Sequence, residues 1–131
     1  MLFKSVFMLL NINNSLIIGF LLIGVGVIFK LGGAPFHSWV PDVYEGSPTI
    51  VTAFFAIIPK IVILFLFLRL IFVFCNEYLY YQKYFLLFCS LSSLVIGSFG
   101  ALQQTNLKRL LAYSGISHVG FLLISLAVGS L

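Results

Sequence analysis

Hydrophobic positions in this chain come in long blocks separated by short polar stretches, not with the short period of a soluble helix or strand. Four apolar blocks are visible, at about 16–36, 50–74, 84–102 and 110–131. A helix needs about 20 mainly apolar residues to cross the hydrocarbon layer of a membrane. The pattern therefore predicts an all-α fold, a polytopic transmembrane bundle of about four spans, as one membrane-embedded unit in the lipid bilayer. Residues 1–15 are expected to form a lead-in segment, amphipathic or loosely inserted. Met1-Leu2-Phe3-Lys4 followed by the stretch Ser5 to Leu10 looks like the start of a signal peptide, but no small-residue cleavage site follows. The polar run Asn11-Ile12-Asn13-Asn14-Ser15 is expected to end it.

The breaks within and between blocks matter as much as the blocks. The first ends in Lys30-Leu31-Gly32-Gly33-Ala34-Pro35. Pro35 has no amide hydrogen and the glycines relax the backbone, so a broken helix is expected, with carbonyls near Leu31 short of partners. Such backbone is tolerated at membrane depth only beside protein or a wet cavity. His37 to Pro48, with Trp39, Pro41 and Tyr44, reads as an ordered interfacial loop held in water by Asp42 and Glu45. The second span is interrupted by Pro59-Lys60, and Glu77 to Lys83 reads as a second interfacial turn. Small residues on the third span, among them Ser92, Ser93, Gly97, Ser98 and Gly100, predict close approach of a neighbouring helix. Thr105 or Asn106 is placed to cap the fourth span.

Composition narrows the function classes. Of the 131 residues 62% are hydrophobic and 8% charged, with a mean hydropathy of +1.20, which leaves no room for a soluble catalytic domain. The net charge of +4 comes from scattered cations, so a nucleic-acid partner is not expected. The positive charges at the ends of the spans fall on both sides, and the positive-inside rule does not orient the chain. Cys75 and Cys89 form no C-x-x-C pair and no cluster with histidine, so neither a metal nor a redox centre is expected on this chain. Both read as small packed thiols.

Four residues are candidates for chemistry. Lys60 lies about ten residues into its span, roughly 15 Å deep. A lysine there costs on the order of 3 kcal/mol and must face protein, water or a counter-charge. Taken out of water, a lysine becomes an exchangeable proton carrier instead of a fixed charge. Lys30 is the second candidate, because freed carbonyls and water at the break can accept its hydrogens. His37 and His118 titrate near neutral pH and suit a relay, although each also reads as a packing residue. Ser114 and His118 share one face of the fourth span, while Arg69, Lys108 and Arg109 read as interfacial anchors. Proton or ion translocation fits this set best.

The run from Phe29 through Lys30-Leu31-Gly32-Gly33-Ala34-Pro35-Phe36-His37-Ser38-Trp39-Val40-Pro41-Asp42-Val43-Tyr44-Glu45-Gly46-Ser47-Pro48-Thr49, and the later block Gln104-Thr105-Asn106-Leu107-Lys108-Arg109-Leu110-Leu111-Ala112-Tyr113-Ser114-Gly115-Ile116-Ser117-His118-Val119-Gly120, carry a family likeness. The chain resembles the antiporter-like membrane subunits of respiratory NADH:ubiquinone oxidoreductase, complex I, and among them the subunit 2 family. The resemblance covers nearly all of the chain after about residue 16 and corresponds to the middle of that family only. It implies an antiporter-like fold of inverted repeats, with Lys30 on the first broken helix, Lys60 on the next helix, and His37 and His118 matching family histidines.

That likeness further implies proton translocation coupled to electron transfer from NADH to ubiquinone elsewhere in the complex, within the mitochondrial inner membrane or a bacterial energy-coupling membrane. NADH, FMN, iron-sulfur clusters and ubiquinone would be held by other subunits, and the other membrane-arm subunits would be partners. The acidic residue that the family places on an earlier helix, and the whole second broken helix, are absent from this sequence. A complementary fragment carrying the missing helices, from a split gene, is therefore expected, unless the chain is truncated. Pro59 departs from the small or polar residue usual in the family. Two rivals stand beside this reading: a subunit of a cation/proton antiporter, and a non-pumping structural fragment.

Overall fold

The computed structural model describes residues 2–73 and 79–129. Among the described residues five helices follow one another: α1 (Leu2–Leu31), α2 (Trp39–Gly46), α3 (Thr49–Val73), α4 (Leu79–Leu102) and α5 (Leu107–Gly129). Cys75 and Glu77 lie outside the described residues. Three helices carry stretches long and apolar enough to cross a membrane, at Thr49–Ile71, Gln82–Leu102 and Leu107–Val128, and α1 adds the shorter apolar stretch Ile17–Leu31. The protein is an all-α bundle of membrane-spanning type. Phe54, Phe65, Phe88, Phe99 and Phe121 are each more than half exposed on its outside, a surface suited to lipid and not to water.

Four details differ from the reading of the sequence, the first being that residues 79–83, expected within an interfacial turn, already belong to α4. The helix of α1 continues through Asn11 to Ser15, where a polar break was expected. Polar side chains interrupt an apolar pattern without removing any backbone hydrogen bond, so the helix persists. Residues 39–46, expected as a loop, form α2. Pro41 falls in its first turn, where its missing N–H costs nothing, Asp42 suits the positive helix N-terminus, and Val40, Pro41 and Tyr44 form a buried face. Helix α3 runs without interruption across Pro59. A proline removes one ladder bond, to the carbonyl of Phe55, and one missing bond does not end a helix of 25 residues.

The core lies where the helices meet. Ile28 and Leu31 of α1, Phe67 and Ile71 of α3, Leu86 and Cys89 of α4, and Val119, Leu123 and Ala127 of α5 form one buried cluster. Helices α4 and α5 form a tight antiparallel hairpin built on small residues. A Cβ on Gly120 would fall 2.6 Å from Ser93 Oγ, one on Gly97 would fall 2.8 Å from Ser117 N, and one on Gly100 would fall 2.5 Å from the ring of Tyr113. These three contacts step up one helix as they step down the other, which fixes the antiparallel register. The serines of this interface satisfy their hydroxyls within their own helices, as Ser93 Oγ does on Ser90 O at 2.8 Å and Ser117 Oγ on Ser114 O at 2.7 Å. The small residues expected on the third span thus serve packing.

Candidate functional site

The break after α1 is built by its own backbone. Gly32 adopts φ 78°, the left-handed conformation open to glycine without cost. Its N–H donates to Phe29 O at 3.1 Å and that of Gly33 to Ile28 O at 3.0 Å, the paired bonds of a Schellman cap. Trp39 Nε1 donates to the same Phe29 carbonyl at 3.1 Å, and its ring lies 5.9 Å from that of Phe29. The expectation that carbonyls near Leu31 would be left for Lys30 is therefore corrected at Ile28 and Phe29: the glycine amides and the Trp39 indole take them. A Cβ on Gly32 would also fall 2.5 Å from Val40 Cγ2, so the first residues of α2 close directly over the turn.

The depth of this break follows from its contact with α4. Ser92 Oγ donates to Ala34 O at 3.3 Å and to Cys89 O at 3.0 Å. Ser92 is the central residue of the span Gln82–Leu102, ten residues from either end. The chain therefore leaves its helix near half depth, and α2 is the second limb that carries it on to the surface. The broken helix comprises α1, the turn and α2, extending beyond the limit expected at residue 36.

Helix α5 holds that second limb. Arg109, in the first turn of α5, donates from Nη2 to Asp42 Oδ1 at 3.0 Å and pairs through Nε with Glu45 Oε2. Asn106 Nδ2 donates to Glu45 Oε1 at 2.8 Å, and Lys108 Nζ to Ser47 O at 2.8 Å. Asn106 starts α5 through its carbonyl, which accepts Leu110 N–H at 3.0 Å, while its side chain crosses to α2. The residues read as interfacial anchors thus lock α2 onto α5, and only Arg69 keeps an outward place, its guanidinium 5.9 Å from the Phe65 ring centre. Behind the clamp Val40, Tyr44 and Ala112 form a second buried cluster with Ala56 of α3 packed against it. Replacing Arg109 with lysine keeps the charge but loses the fork that reaches two carboxylates at once. Arg109→Lys is expected to cost about 1 kcal/mol, given the partial exposure of the groups, read as a lower melting temperature of the detergent-extracted protein.

Of the four candidates for chemistry, Lys60 is placed at the centre of α3, eleven residues from each end of Thr49–Ile71. It is half-buried, and its Nζ lies 3.2 Å from the position a Cβ would take on Gly115 of α5. Lys30 stands in the last turn of α1, at the negative end of that helix's dipole and two residues before the break. Its side chain points to the outside of this bundle. His37 lies within the turn, and its Nδ1 is buried without a hydrogen-bond partner among the described residues, an arrangement that invites water or a proton-carrying neighbour. His118 is exposed on α5, one turn beyond Gly115. Among the described residues no hydrogen bond or ion pair joins any two of these four. The structure therefore brings Lys30, His37 and Lys60 toward the central layer of the spans without wiring them directly.

Sequence reading missed two features of this site. Gly115 as the neighbour of Lys60 follows only from the placement of α3 beside α5, two helices distant in the chain. The Arg109 clamp had a signal, a basic residue opening one helix and two acidic residues in another segment, but no local rule pairs them.

Comparison with known proteins bears directly on this arrangement. The family model described as NADH:quinone oxidoreductase/Mrp antiporter, TM, matches residues 1–131. The chain is 49% identical over 119 residues to NADH-ubiquinone oxidoreductase chain 2 of Marchantia polymorpha, covering 91% of this chain and 24% of that protein. It is 51% identical over 121 residues to NADH-quinone oxidoreductase subunit N of Wolbachia sp. subsp. Brugia malayi, covering 90% and 26%. With NADH-ubiquinone oxidoreductase chain 2 of Arabidopsis thaliana it shares 45% identity over 119 residues, covering 91% and 23%. The chain spans about a quarter of the length of these curated relatives. A broken helix at half depth, a lysine at the centre of the next span and sequence identity across most of its length make this chain a member of the NADH:quinone oxidoreductase/Mrp antiporter family of transmembrane proteins.

Proposed function

We propose that this chain supplies part of a proton path in the membrane arm of an NADH:ubiquinone oxidoreductase. The observation that carries the proposal is Lys60, the central residue of a membrane-spanning helix, half-buried against α5, with α1 broken at comparable depth nearby. A lysine so placed is costly unless it is solvated or paired, and a costly ionisable group inside a membrane marks a charge pathway. Lys30 serves as the second carrier at the helix break, with His37 and His118 as further relay groups. Each gains or loses its proton as neighbouring charges change during turnover.

On this reading the chain is a non-redox subunit of the enzyme. NADH oxidation at FMN, electron passage through iron-sulfur clusters and ubiquinone reduction belong to other subunits. Its partners are the other membrane-arm subunits and the helices that make up the rest of the antiporter-like fold, carried by a complementary fragment or by the same protein. The relatives include plant proteins named NADH-ubiquinone oxidoreductase chain 2 and bacterial ones named NADH-quinone oxidoreductase subunit N; the location proposed is the mitochondrial inner membrane, with a bacterial energy-coupling membrane as the alternative. The names of the similar proteins favour the oxidoreductase over the antiporter reading, although the family model spans both.

The test is mild detergent extraction of the membranes, a native gel stained for NADH dehydrogenase activity, and mass spectrometry of the active band. Peptides of this chain in that band, together with peptides carrying the remaining helices, are the expected result. Migration away from the active band, with sodium-dependent proton flux in the purified assembly, would instead establish the antiporter reading.

A further inference from the structure

Lys60 meets α5 at a position where the sequence supplies no side chain. Along that face of α5, Ala112 belongs to the buried cluster around Val40 and Tyr44, and Val119 to the larger core with Ile63, Leu64 and Phe67 of α3. Gly115 falls between them, just as Lys60 falls between Ala56 and Ile63 on α3. Ile116, fully buried, also falls between Ala112 and Val119, and beside it, at Gly115, the first carbon of any side chain would lie 3.2 Å from the Lys60 ammonium group. Glycine within a membrane helix gives up helix propensity relative to alanine and gains nothing in apolar burial. At Gly97, Gly100 and Gly120 close helix contact explains the glycine, because a Cβ would strike backbone or packed side chains. At Gly115, among the described residues and apart from its chain neighbours and its own helix backbone, the sole atom within 4 Å is Lys60 Nζ.

We infer that Gly115 is a positioning residue for Lys60: it keeps open the space in which the ammonium and its hydration sit at the centre of the bilayer. This rests on the reading of Lys60 as a proton carrier. A methyl group at Gly115 would lie 3.2 Å from Nζ, so the ammonium must shift by a few tenths of an ångström and its solvation shell loses that room. A serine is nearly the same size, yet its oxygen accepts a hydrogen bond from the ammonium even while its proton is given to the helix, as the Ser114 hydroxyl is to Leu111 O at 2.9 Å. Steric filling alone would treat the two substitutions alike, whereas contact with a charge separates them.

The experiment compares Gly115→Ala, Gly115→Ser and Lys60→Met in the assembled complex in membrane vesicles. Proton pumping per NADH oxidised is measured and normalised to the amount of complex. Expected are a fall of about fivefold to tenfold for Gly115→Ala, near wild-type pumping for Gly115→Ser, and a loss for Lys60→Met. Equal falls for alanine and serine would assign Gly115 to packing and overturn the inference. So would wild-type pumping per complex in Gly115→Ala, including the case where only the amount of complex drops. Unchanged pumping in Lys60→Met would remove the reading beneath it, an outcome separate from either of these.

Discussion

Replacing Lys60 with alanine is expected to leave the complex assembled while lowering the number of protons moved per NADH oxidised. The two halves of this expectation come from different physics. Lys60 makes no ion pair among the described residues, its neighbours Ile57, Ile58, Ile61 and Val62 are exposed on the outside of the bundle, and the buried residues of α3, Phe67 and Ile71, lie further along the helix. Removing the side chain therefore deletes a solvation cost of on the order of 3 kcal/mol and little packing, so stability should hold or rise. Transport is another matter. A relay needs a group at each step that both accepts and releases a proton, and alanine does neither. Arginine at the same position would keep the charge but hold its proton permanently, so Lys60→Arg should also lower pumping. Proton uptake by inverted membrane vesicles, measured against NADH oxidation in the same sample, checks both. Unchanged pumping in an assembled Lys60→Ala complex would end the relay role.

Much of this was legible in the sequence because the bilayer is a severe solvent. Block length alone gives helices that span, and Gly32, Gly33 and Pro35 give a break, since few other residues end a helix at that depth. Lys60 announced itself by contrast with twenty apolar neighbours. What escaped was local chemistry read with the wrong rule. By the rule for aromatics and prolines at a membrane surface, Trp39, Pro41 and Tyr44 mark an interface, yet Pro41 is a helix-opening residue and Tyr44 a buried one, which together with Val40 make α2 a short amphipathic helix. Pro59 in a sequence reads as an interruption, although one missing bond leaves α3 intact. The contacts that give the site its shape, Ser92 with Ala34 and Gly115 with Lys60, join residues more than fifty positions apart. Nothing in a periodicity reports them. The small-residue pattern lies between these extremes: the stripe on α4 foretold a close partner, but only the register identifies Ser117, Tyr113 and Gly120 as what it meets.

Gly97→Leu is expected to be the most destabilising single change in this chain, because the clash falls on backbone. Even a Cβ at Gly97 would lie 2.8 Å from Ser117 N, 3.0 Å from Ser117 Cβ and 3.1 Å from Ser117 Cα. A flexible side chain can swing away, but the helix axis of α5 cannot shift locally without moving the whole hairpin. The rest of the interface resists such a shift, since Gly100 against Tyr113 and Gly120 against Ser93 demand the same close approach on either side. Overpacking of this kind costs about 1–3 kcal/mol where side chains can adjust, and a leucine against backbone belongs at or above the upper end. In a membrane the loss is not offset by any hydrophobic drive to hold helices together, because lipid serves the freed apolar surface as well as protein does. The consequence reaches the site. Helix α5 carries Gly115 beside Lys60 and Arg109 on α2, so a displaced α5 uncovers the lysine and loosens the second limb of the broken helix together. Gly97→Ala should show the same effect at smaller size, whereas Phe99→Ala, on the exposed face of the same helix, should leave the hairpin in place. The amount of chain recovered in the native complex, followed by its thermal release, orders the three. A Gly97→Leu chain as abundant and as heat-stable as the Phe99→Ala chain would contradict the α4/α5 register described here.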